Sequence, residues 1–365
     1  MEPQVLFCIC GSVRYKEMHE ELLTEREHLV LEAVVRNYIL RAEPTSSRYL
    51  SRQNGFDLCA ASIRNVMSDL EERGYITHPH TSAGRIPTDN GYRYYVDRLM
   101  HYTDLPGDVK RQIRAEFVTV NQSDLHLLLE TASRALSRAT RQLGVILAPR
   151  LCRGILRKLY IIQIGEKRFV LNIALDFGFV KSMLLELETG IPHERLECAC
   201  RILTAKFEGK TLEEICFADE GAYSDVPEFD LGIVRLLVPS IRKMVEPEGT
   251  AEVFTKGKTN VLMQPEFFDR DRMGAVIEIL EEKNMLMHLF ETQGGEDRVL
   301  VTIGGENSRD GQLSSFSVIK TTYTVGSMVG SLGVIGPKRM PYPQLISTVR
   351  YTAEVLGEIA SGKKP

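Results

Sequence analysis

Pro79-His80-Thr81-Ser82-Ala83-Gly84-Arg85-Ile86-Pro87-Thr88 is the stretch of the sequence that decides the fold. It is rich in turn-forming residues and follows Tyr75-Ile76, an apolar pair typical of a short strand. We therefore predict a β-hairpin with Ala83-Gly84-Arg85 at its tip. A hairpin directly after three helices is the order of a winged helix-turn-helix, whose third helix enters the major groove of DNA.

Two helices are predicted at the start of this region. Thr24 and Glu27 have the spacing of a capping box, and the apolar residues that follow recur with the helical period. Pro44 separates this helix from a short second one, which Ser46 and Ser47 can cap.

The third helix is the predicted recognition element. Its apolar residues share one face at helical spacing: Ile63, Val66, Met67 and Leu70. Arg64, Asn65 and Ser68 therefore lie on the opposite, polar face. Gly74 is the predicted end of this helix.

The length of 365 residues predicts two or three folded cores. After the hairpin we predict an amphipathic helix over Leu125 to Leu143 and a three-stranded meander over residues 159–187. Strands return from Val299, and a helix over Tyr342 to Ala360 closes the chain. The predicted fold class is α+β and multidomain, with one α+β domain split by an insertion.

The predicted insertion is mostly helical and runs from Pro192 to Phe290. We expect interruptions at Pro227 and Pro239 and a strand-like segment over Glu252 to Met263 with a turn at Lys256-Gly257. An apolar helical stripe within it fits either a dimer interface or an ordinary core: Met273, Val276, Ile277, Leu280, Met285, Leu286 and Leu289.

Composition fits a globular chain and does not by itself indicate DNA binding. Hydrophobic residues make up 43%, charged residues 26%, and the net charge is −4. Residues 24–100 hold ten Arg, no Lys and ten Asp or Glu. Basic side chains must therefore be gathered on one surface if this region binds DNA.

The seven cysteines are scattered and odd in number, which favours a reduced cytoplasm over a disulfide framework. No apolar run is long enough for a membrane span, so we expect a cytoplasmic protein without membrane contact. Two groups could instead bind a metal: Cys8 with Cys10, and Cys198, Cys200 and Cys216 with His193. Their CxC spacing lacks a matching second half, so we expect no metal and no cofactor.

Several motifs resemble the HrcA family of heat-inducible transcription repressors. They are Ala61-Ser62-Ile63-Arg64-Asn65, Asp69-Leu70-Glu71, the hairpin stretch from Pro79 to Thr88, Gly91-Tyr92-Arg93-Tyr94-Tyr95-Val96-Asp97, Asn260 with Gln264-Pro265-Glu266-Phe267, and Gly333-Val334-Ile335-Gly336-Pro337 with Arg339-Met340. The resemblance covers nearly everything after residue 20. Cys59 and Ala60 depart from it, because the family usually has Ser at these positions.

The resemblance implies a winged helix-turn-helix over residues 21–103, after an extension over residues 1–20. It implies a GAF-like domain in two parts, residues 104–189 and 293–365, with a dimerising domain inserted at residues 190–292. The family binds, as a homodimer, an inverted-repeat operator on double-stranded DNA called CIRCE, upstream of chaperone operons, and the chaperonin modulates the repressor.

Candidate DNA-contacting residues follow from chemistry. Arg64 and Asn65 suit guanine and adenine edges; the alternative for Arg64 is pairing with Asp69 or Glu71, or a phosphate contact. Arg85, at the expected hairpin tip, suits the minor groove. The residues expected to contact phosphates are Arg48, Ser62, Ser68, Thr81 and Ser82, and Arg93 completes the set.

Two other function classes are alternatives to a heat-inducible repressor. Asp176-Phe177-Gly178 matches the metal-binding triplet of protein kinases, but no GxGxxG loop or HRD segment accompanies it, so we do not expect an enzyme. The second alternative is a winged-helix repressor that senses a small effector through its GAF-like domain. Tyr92, Tyr94 and Tyr95 could stack on nucleic acid, and we expect them to pack in the core instead.

Overall fold

A computed structural model of the chain describes residues 23–53, 58–80, 83–118, 120, 124–176, 179–187, 191–245, 252–268, 270–291, 298–307 and 313–362. The extension expected over residues 1–20 lies outside the described residues. The chain forms two compact units, Met1–Tyr95 and Val96–Pro365. The first unit thus ends eight residues before the expected boundary at residue 103.

The first unit has three helices followed by a hairpin, in the order that the sequence predicts. Its elements are α1 Glu25–Arg41, α2 Ser47–Leu50, α3 Ala60–Glu72, β1 Ile76–Thr77, β2 Ile86–Pro87 and α4 Asp89–Tyr94. The two strands are antiparallel, with Ile76 opposite Pro87. Thr24 and Glu27 form the predicted capping box at the start of α1.

Apolar residues of all three helices form the core of this unit. Val34 of α1, Leu50 of α2 and Leu70 of α3 are fully buried. Tyr92 and Tyr95 are also buried, which confirms their predicted packing role. Gly91 lets α4 approach β1 closely, because a Cβ there would lie 2.1 Å from the carbonyl oxygen of Tyr75.

Glu27 joins the start of α1 to the end of α3. Its carboxylate accepts hydrogen bonds from the Thr24 backbone N–H at 2.7 Å and from Arg73 Nη1 at 2.9 Å. Burial raises the pKa of Glu27, but these hydrogen bonds outweigh burial and hold the pKa below its ordinary value. The carboxylate is therefore ionised at neutral pH and stabilises the folded unit.

Replacing Glu27 with glutamine should lower the free energy of unfolding at pH 7 by about 1–2 kcal/mol, because Arg73 loses its charged partner and a neutral amide accepts the capping hydrogen bond less strongly. Since the folded pKa is depressed, this stabilisation is complete above the unfolded pKa of about 4.3 and is lost as pH falls through the folded value. Urea titrations should show the variant and the native chain converging in strongly acidic buffer. Glu25→Gln, at an exposed carboxylate in the same turn, is the control and should change little.

The second unit contains two antiparallel sheets. Their strands are β3 Leu143–Leu147, β4 Leu156–Gln163, β5 Arg168–Leu175, β6 Val180–Glu186, β7 Val253–Lys256, β8 Leu300–Ile303, β9 Phe316–Val325 and β10 Met328–Pro337. One sheet has five strands in the order β7-β3-β10-β9-β8. The other is the predicted meander, β4-β5-β6.

Helices flank both sheets. They are α5 Gly107–Phe117, α6 Leu125–Thr140, α7 His193–Phe207, α8 Leu212–Cys216, α9 Glu228–Val245, α10 Lys258–Leu262, α11 Arg270–Glu281, α12 Lys283–Phe290 and α13 Tyr342–Ala360. Helices α6 and α13 pack on the five-stranded sheet, and α7 packs on β4. Among the described residues, no helix is long and apolar enough to cross a membrane.

The amphipathic helix predicted to reach Leu143 ends earlier. Helix α6 stops at Thr140, Arg141 takes the left-handed conformation with φ 54°, and Leu143 opens β3. Every residue of β3 is buried, because both faces of the strand are covered. A fully buried strand is a continuous apolar run. Periodicity alone cannot distinguish such a run from a further turn of the preceding helix.

The insertion predicted over residues 190–292 does not correspond to the layout of the sheets. Strand β7 pairs with β3 in the five-stranded sheet. Val276, Leu286 and Leu289, from the predicted apolar stripe, are buried in one cluster with Leu143 and Phe316 of that sheet. Val276, Leu286 and Leu289 are therefore core within one chain, whereas Ile277 of the same stripe is 44% exposed.

The segment that stands apart from the five-stranded sheet is instead β4 to α9. Strand β4 is linked to the turn before α8, since Leu156 N–H donates to the Lys210 carbonyl at 2.9 Å. The meander predicted as part of the GAF-like domain thus packs with α7, and residues 253–290 pack with the five-stranded sheet.

Two further predictions for this region differ from the structure. Pro239 lies inside α9, whose residues Val234, Leu237 and Ile241 are fully buried. Their burial outweighs the hydrogen bond that proline removes. In the segment Glu252 to Met263, the predicted turn at Lys256-Gly257 is present, with Gly257 at φ 85°. Residues 258–262 after the turn form α10 and not the expected strand.

The two carboxy-terminal motifs contact each other in the fold. Arg339 forms an ion pair with Glu266, and the Phe267 ring stacks on Phe316 with centroids 4.8 Å apart. Asn260 donates to Ser137 Oγ at 3.0 Å. These residues therefore support the five-stranded sheet.

Candidate nucleic-acid interface

Helix α3 presents the polar face that periodicity predicts. Arg64 and Asn65 are exposed, while Ile63, Met67 and Leu70 are buried on the opposite face. Among the described residues, no acidic side chain forms an ion pair with Arg64. The alternative pairing with Asp69 or Glu71 is therefore not made, and the guanidinium points to solvent.

The start of α3 carries a thiol where a hydroxyl cap would be usual. Cys59 is the N-cap residue, and its exposed Sγ lies 3.2 Å from Ser62 Oγ. The Ser62 hydroxyl, followed by the backbone N–H groups of Ser62 and Ala61, lowers the pKa of Cys59 below its ordinary value. The altered helix start thus keeps a polar group facing the first turn.

Four other predicted contact residues lie on α2, α3 and α4. Ser62 and Ser68 are half-buried on α3, and the Ser68 hydroxyl donates to the Arg64 carbonyl at 3.2 Å. Arg48 is exposed in the last turn of α2. Arg93 is half-buried in the last turn of α4. Thr81 and Ser82 lie outside the described residues.

Arg85 lies at the base of the hairpin, and the prediction that it occupies the tip was wrong. Its N–H donates to the Thr45 carbonyl at 2.8 Å, and the Thr45 N–H donates to the Arg85 carbonyl at 2.9 Å. Its guanidinium forms an ion pair with Glu71 of α3 at 2.7 Å. Thr45 and Glu71 are far from Arg85 along the chain. A prediction based on neighbouring turn-forming residues therefore could not include them.

Gly84 has no room for a side chain. A Cβ at this position would lie 2.6 Å from the carbonyl carbon and oxygen of Thr45 and 2.8 Å from the carbonyl carbon of Pro44. The hairpin and the loop before α2 therefore make contact through their backbones. This close approach keeps Arg85 in register with Thr45.

Asp176 and Cys200, the residues weighed above for a catalytic and a metal site, are both buried inside the fold. Asp176 is buried, and its carboxylate accepts from the N–H of Ile155 at 3.3 Å and of Ser327 at 3.1 Å. Phe177 and Gly178 lie outside the described residues. Cys200 is buried, and burial raises its pKa to about 12.

The second cysteine group does not assemble a ligand set. His193 stacks on Phe169 and pairs with Glu197 at 3.3 Å. Within the described ranges, no three His, Cys, Asp or Glu side chains are arranged to hold a metal ion. Cys8 and Cys10 lie outside those ranges.

Comparison with known proteins gives consistent matches along the chain. The family model described as "HrcA protein C terminal domain" matches residues 126–346. The heat-inducible transcription repressor HrcA of Geobacter sulfurreducens is 35% identical over 343 residues, covering 93% of this chain and 99% of the relative. The repressor of the same name from Chlorobium phaeobacteroides is 32% identical over 350 residues, covering 93% and 99%.

A third relative and a solved structure extend these matches. The HrcA repressor of Halalkalibacterium halodurans is 32% identical over 339 residues, covering 93% of this chain and 98% of the relative. A crystal structure of a protein described as hypothetical is 26% identical, with a TM-score of 0.55, and covers 93% of this chain and 98% of its own. The similarity thus includes both units.

Proposed function

From the premise that this chain belongs to the HrcA family of heat-inducible transcription repressors, we propose that it represses heat-shock chaperone operons in the cytoplasm by binding the inverted-repeat CIRCE operator. The observation that carries the proposal is the solvent-facing pair Arg64 and Asn65 on α3, in a unit of three helices and a hairpin. This order of elements supports assignment of the unit as a winged helix-turn-helix.

In this proposal α3 lies in the major groove. Arg64 donates two hydrogen bonds to guanine, and the Asn65 amide donates to and accepts from adenine. The side chains proposed to contact phosphates are Arg48, Ser62, Ser68, Thr81, Ser82 and Arg93. Phosphate contacts fix the position of the unit, and the α3 contacts supply the sequence preference.

The test is a gel-shift titration of the full chain on a CIRCE probe and a scrambled repeat at one stated salt concentration. Arg64→Ala should weaken operator binding about tenfold, because a bidentate base contact is lost. Arg64→Lys is the matched variant: it keeps the charge and should still lose preference for the operator. Equal binding of both probes by the native chain would refute the proposal, and native-like behaviour of Arg64→Lys would make Arg64 a phosphate contact.

The five-stranded sheet with α6, α13 and α10 to α12 supports a GAF-like assignment for most of the second unit. We place the inserted dimerising domain at β4 to α9 in place of residues 190–292. The exposed face of the meander supports this choice, because Ile162, Val170 and Leu184 lie opposite one another across its three strands. An operator with two half-sites requires a two-fold dimer, and this face is the proposed contact.

We further propose that heating or titration of the chaperonin depletes the folded dimer and releases the operons. Operator binding by the purified repressor should fall on warming and recover when chaperonin is added. Binding that survives heating and ignores chaperonin would exclude this regulation. A rise in melting temperature with a mixture of metabolites would instead favour the effector-gated alternative.

A further inference from the structure

The Glu71 carboxylate bridges two side chains of the hairpin. His78 Nδ1 donates to Glu71 Oε1 at 2.5 Å, and Arg85 Nη2 lies 2.7 Å from Oε2. His78 directly follows β1 and Arg85 directly precedes β2. One residue of α3 therefore holds both ends of the hairpin loop.

Partial burial strengthens the attraction between Glu71 and the hairpin. Glu71 and Arg85 side chains are only 24% and 25% exposed, so water screens their attraction incompletely. Partial burial raises the pKa of Glu71, but the His78 hydrogen bond and the Arg85 charge outweigh it and lower the pKa. The carboxylate is therefore ionised at neutral pH, and Arg85 is further held by its backbone bonds to Thr45.

We infer that Glu71 is a positioning residue for operator recognition, which fixes the hairpin against α3, and that Arg85 acts through Glu71 instead of contacting DNA. The inference rests on the proposed function, because it gives the hairpin a fixed place beside the recognition helix. It also reverses the role that the sequence suggests for Arg85.

The two roles of Arg85 predict opposite results for Glu71→Gln. If Arg85 binds DNA, Glu71 competes with the DNA phosphates for the guanidinium, and removing its charge should strengthen binding and steepen the salt dependence. If Glu71 positions the hairpin, removing its charge should weaken binding to the operator. The sign of the change therefore separates the two roles.

The experiment compares full-length Glu71→Gln, Arg85→Gln, the double variant and the reversed pair Glu71→Arg with Arg85→Glu. Glu72→Gln, at the exposed neighbouring carboxylate, matches the charge change of Glu71→Gln, and Arg26→Gln, at an exposed arginine of α1, matches that of Arg85→Gln. We expect each single variant to bind the operator about fivefold more weakly than its own control, with no further loss in the double variant. The reversed pair should recover part of the affinity, because it restores the ion pair and not the hydrogen bond that Glu71 accepts from His78. The salt slope of Arg85→Gln should equal that of the native chain.

Tighter binding by Glu71→Gln, a shallower salt slope for Arg85→Gln, or additive losses would overturn the inference. A second readout needs no DNA: amide hydrogen exchange at Thr45 and Arg85 should accelerate in Glu71→Gln and stay unchanged in Glu72→Gln. If the native chain failed to prefer the operator, the proposed function would fall, and the exchange rates would still decide whether Glu71 fixes the hairpin.

Discussion

Replacing Gly84 with alanine is expected to weaken operator binding by about tenfold to a hundredfold. The new Cβ would lie 2.6 Å from two backbone atoms of Thr45, a separation that no rotamer change relieves. The hairpin must therefore move away from the loop before α2. The Thr45–Arg85 backbone pair breaks, and the Glu71–Arg85 ion pair is strained with it.

Affinity for CIRCE and far-ultraviolet circular dichroism together measure this effect, since the second unit should keep its structure. Gly232→Ala in α9 is the control, because among the described residues no atom lies within 4 Å of the Cβ it would add. Native affinity in Gly84→Ala would contradict this prediction, and a lowered melting temperature in the same variant would show that the hairpin had moved without affecting binding.

If the meander face is the proposed dimer contact, Leu184→Glu should give monomers and weaken binding to the proposed operator about a hundredfold, because a monomer engages only one half-site. Leu184 is 53% exposed and Ile162 is 49% exposed, with Val170 between them in register. Helix α7 packs on β4, where Leu159 and Ile161 are buried. A carboxylate placed beside Ile162 and Val170 on the exposed face would have to lose its water when that face is covered in the proposed dimer.

Light scattering at several concentrations gives the mass of each variant. Leu40→Glu, at a leucine of α1 that is 78% exposed, changes the charge equally in the other unit and should remain a dimer. A dimer mass for Leu184→Glu and for Ile162→Glu alike would exclude the meander face as the contact.

Local features of the fold were predictable from the sequence. The capping box at Thr24 and Glu27 needs only residues three apart, and the polar face of α3 follows from helical spacing. The three-stranded meander predicted over residues 159–187 likewise matches β4, β5 and β6. In each case the partners are close along the chain.

Features that depend on distant partners were not predictable. Strand β3 reads as an extension of α6 because it is buried on both faces, by α6 on one and by residues far along the chain, such as Val276 and Phe290, on the other. Arg85 reads as a hairpin tip because neither Thr45 nor Glu71 is nearby in sequence. The sequence therefore predicted the polar face of α3 correctly. It did not predict that Arg85 joins the hairpin to Thr45 and Glu71.

The strand order β7-β3-β10-β9-β8 also has a consequence for biosynthesis. Strand β3 needs residues 253–256 on one edge and residues 328–337 on the other. A nascent chain therefore exposes the unpaired edges of this apolar strand until almost all of the protein has been synthesised. Such high contact order slows folding and leaves an intermediate prone to aggregation, so newly made repressor should depend on assisted folding more than its size alone would require.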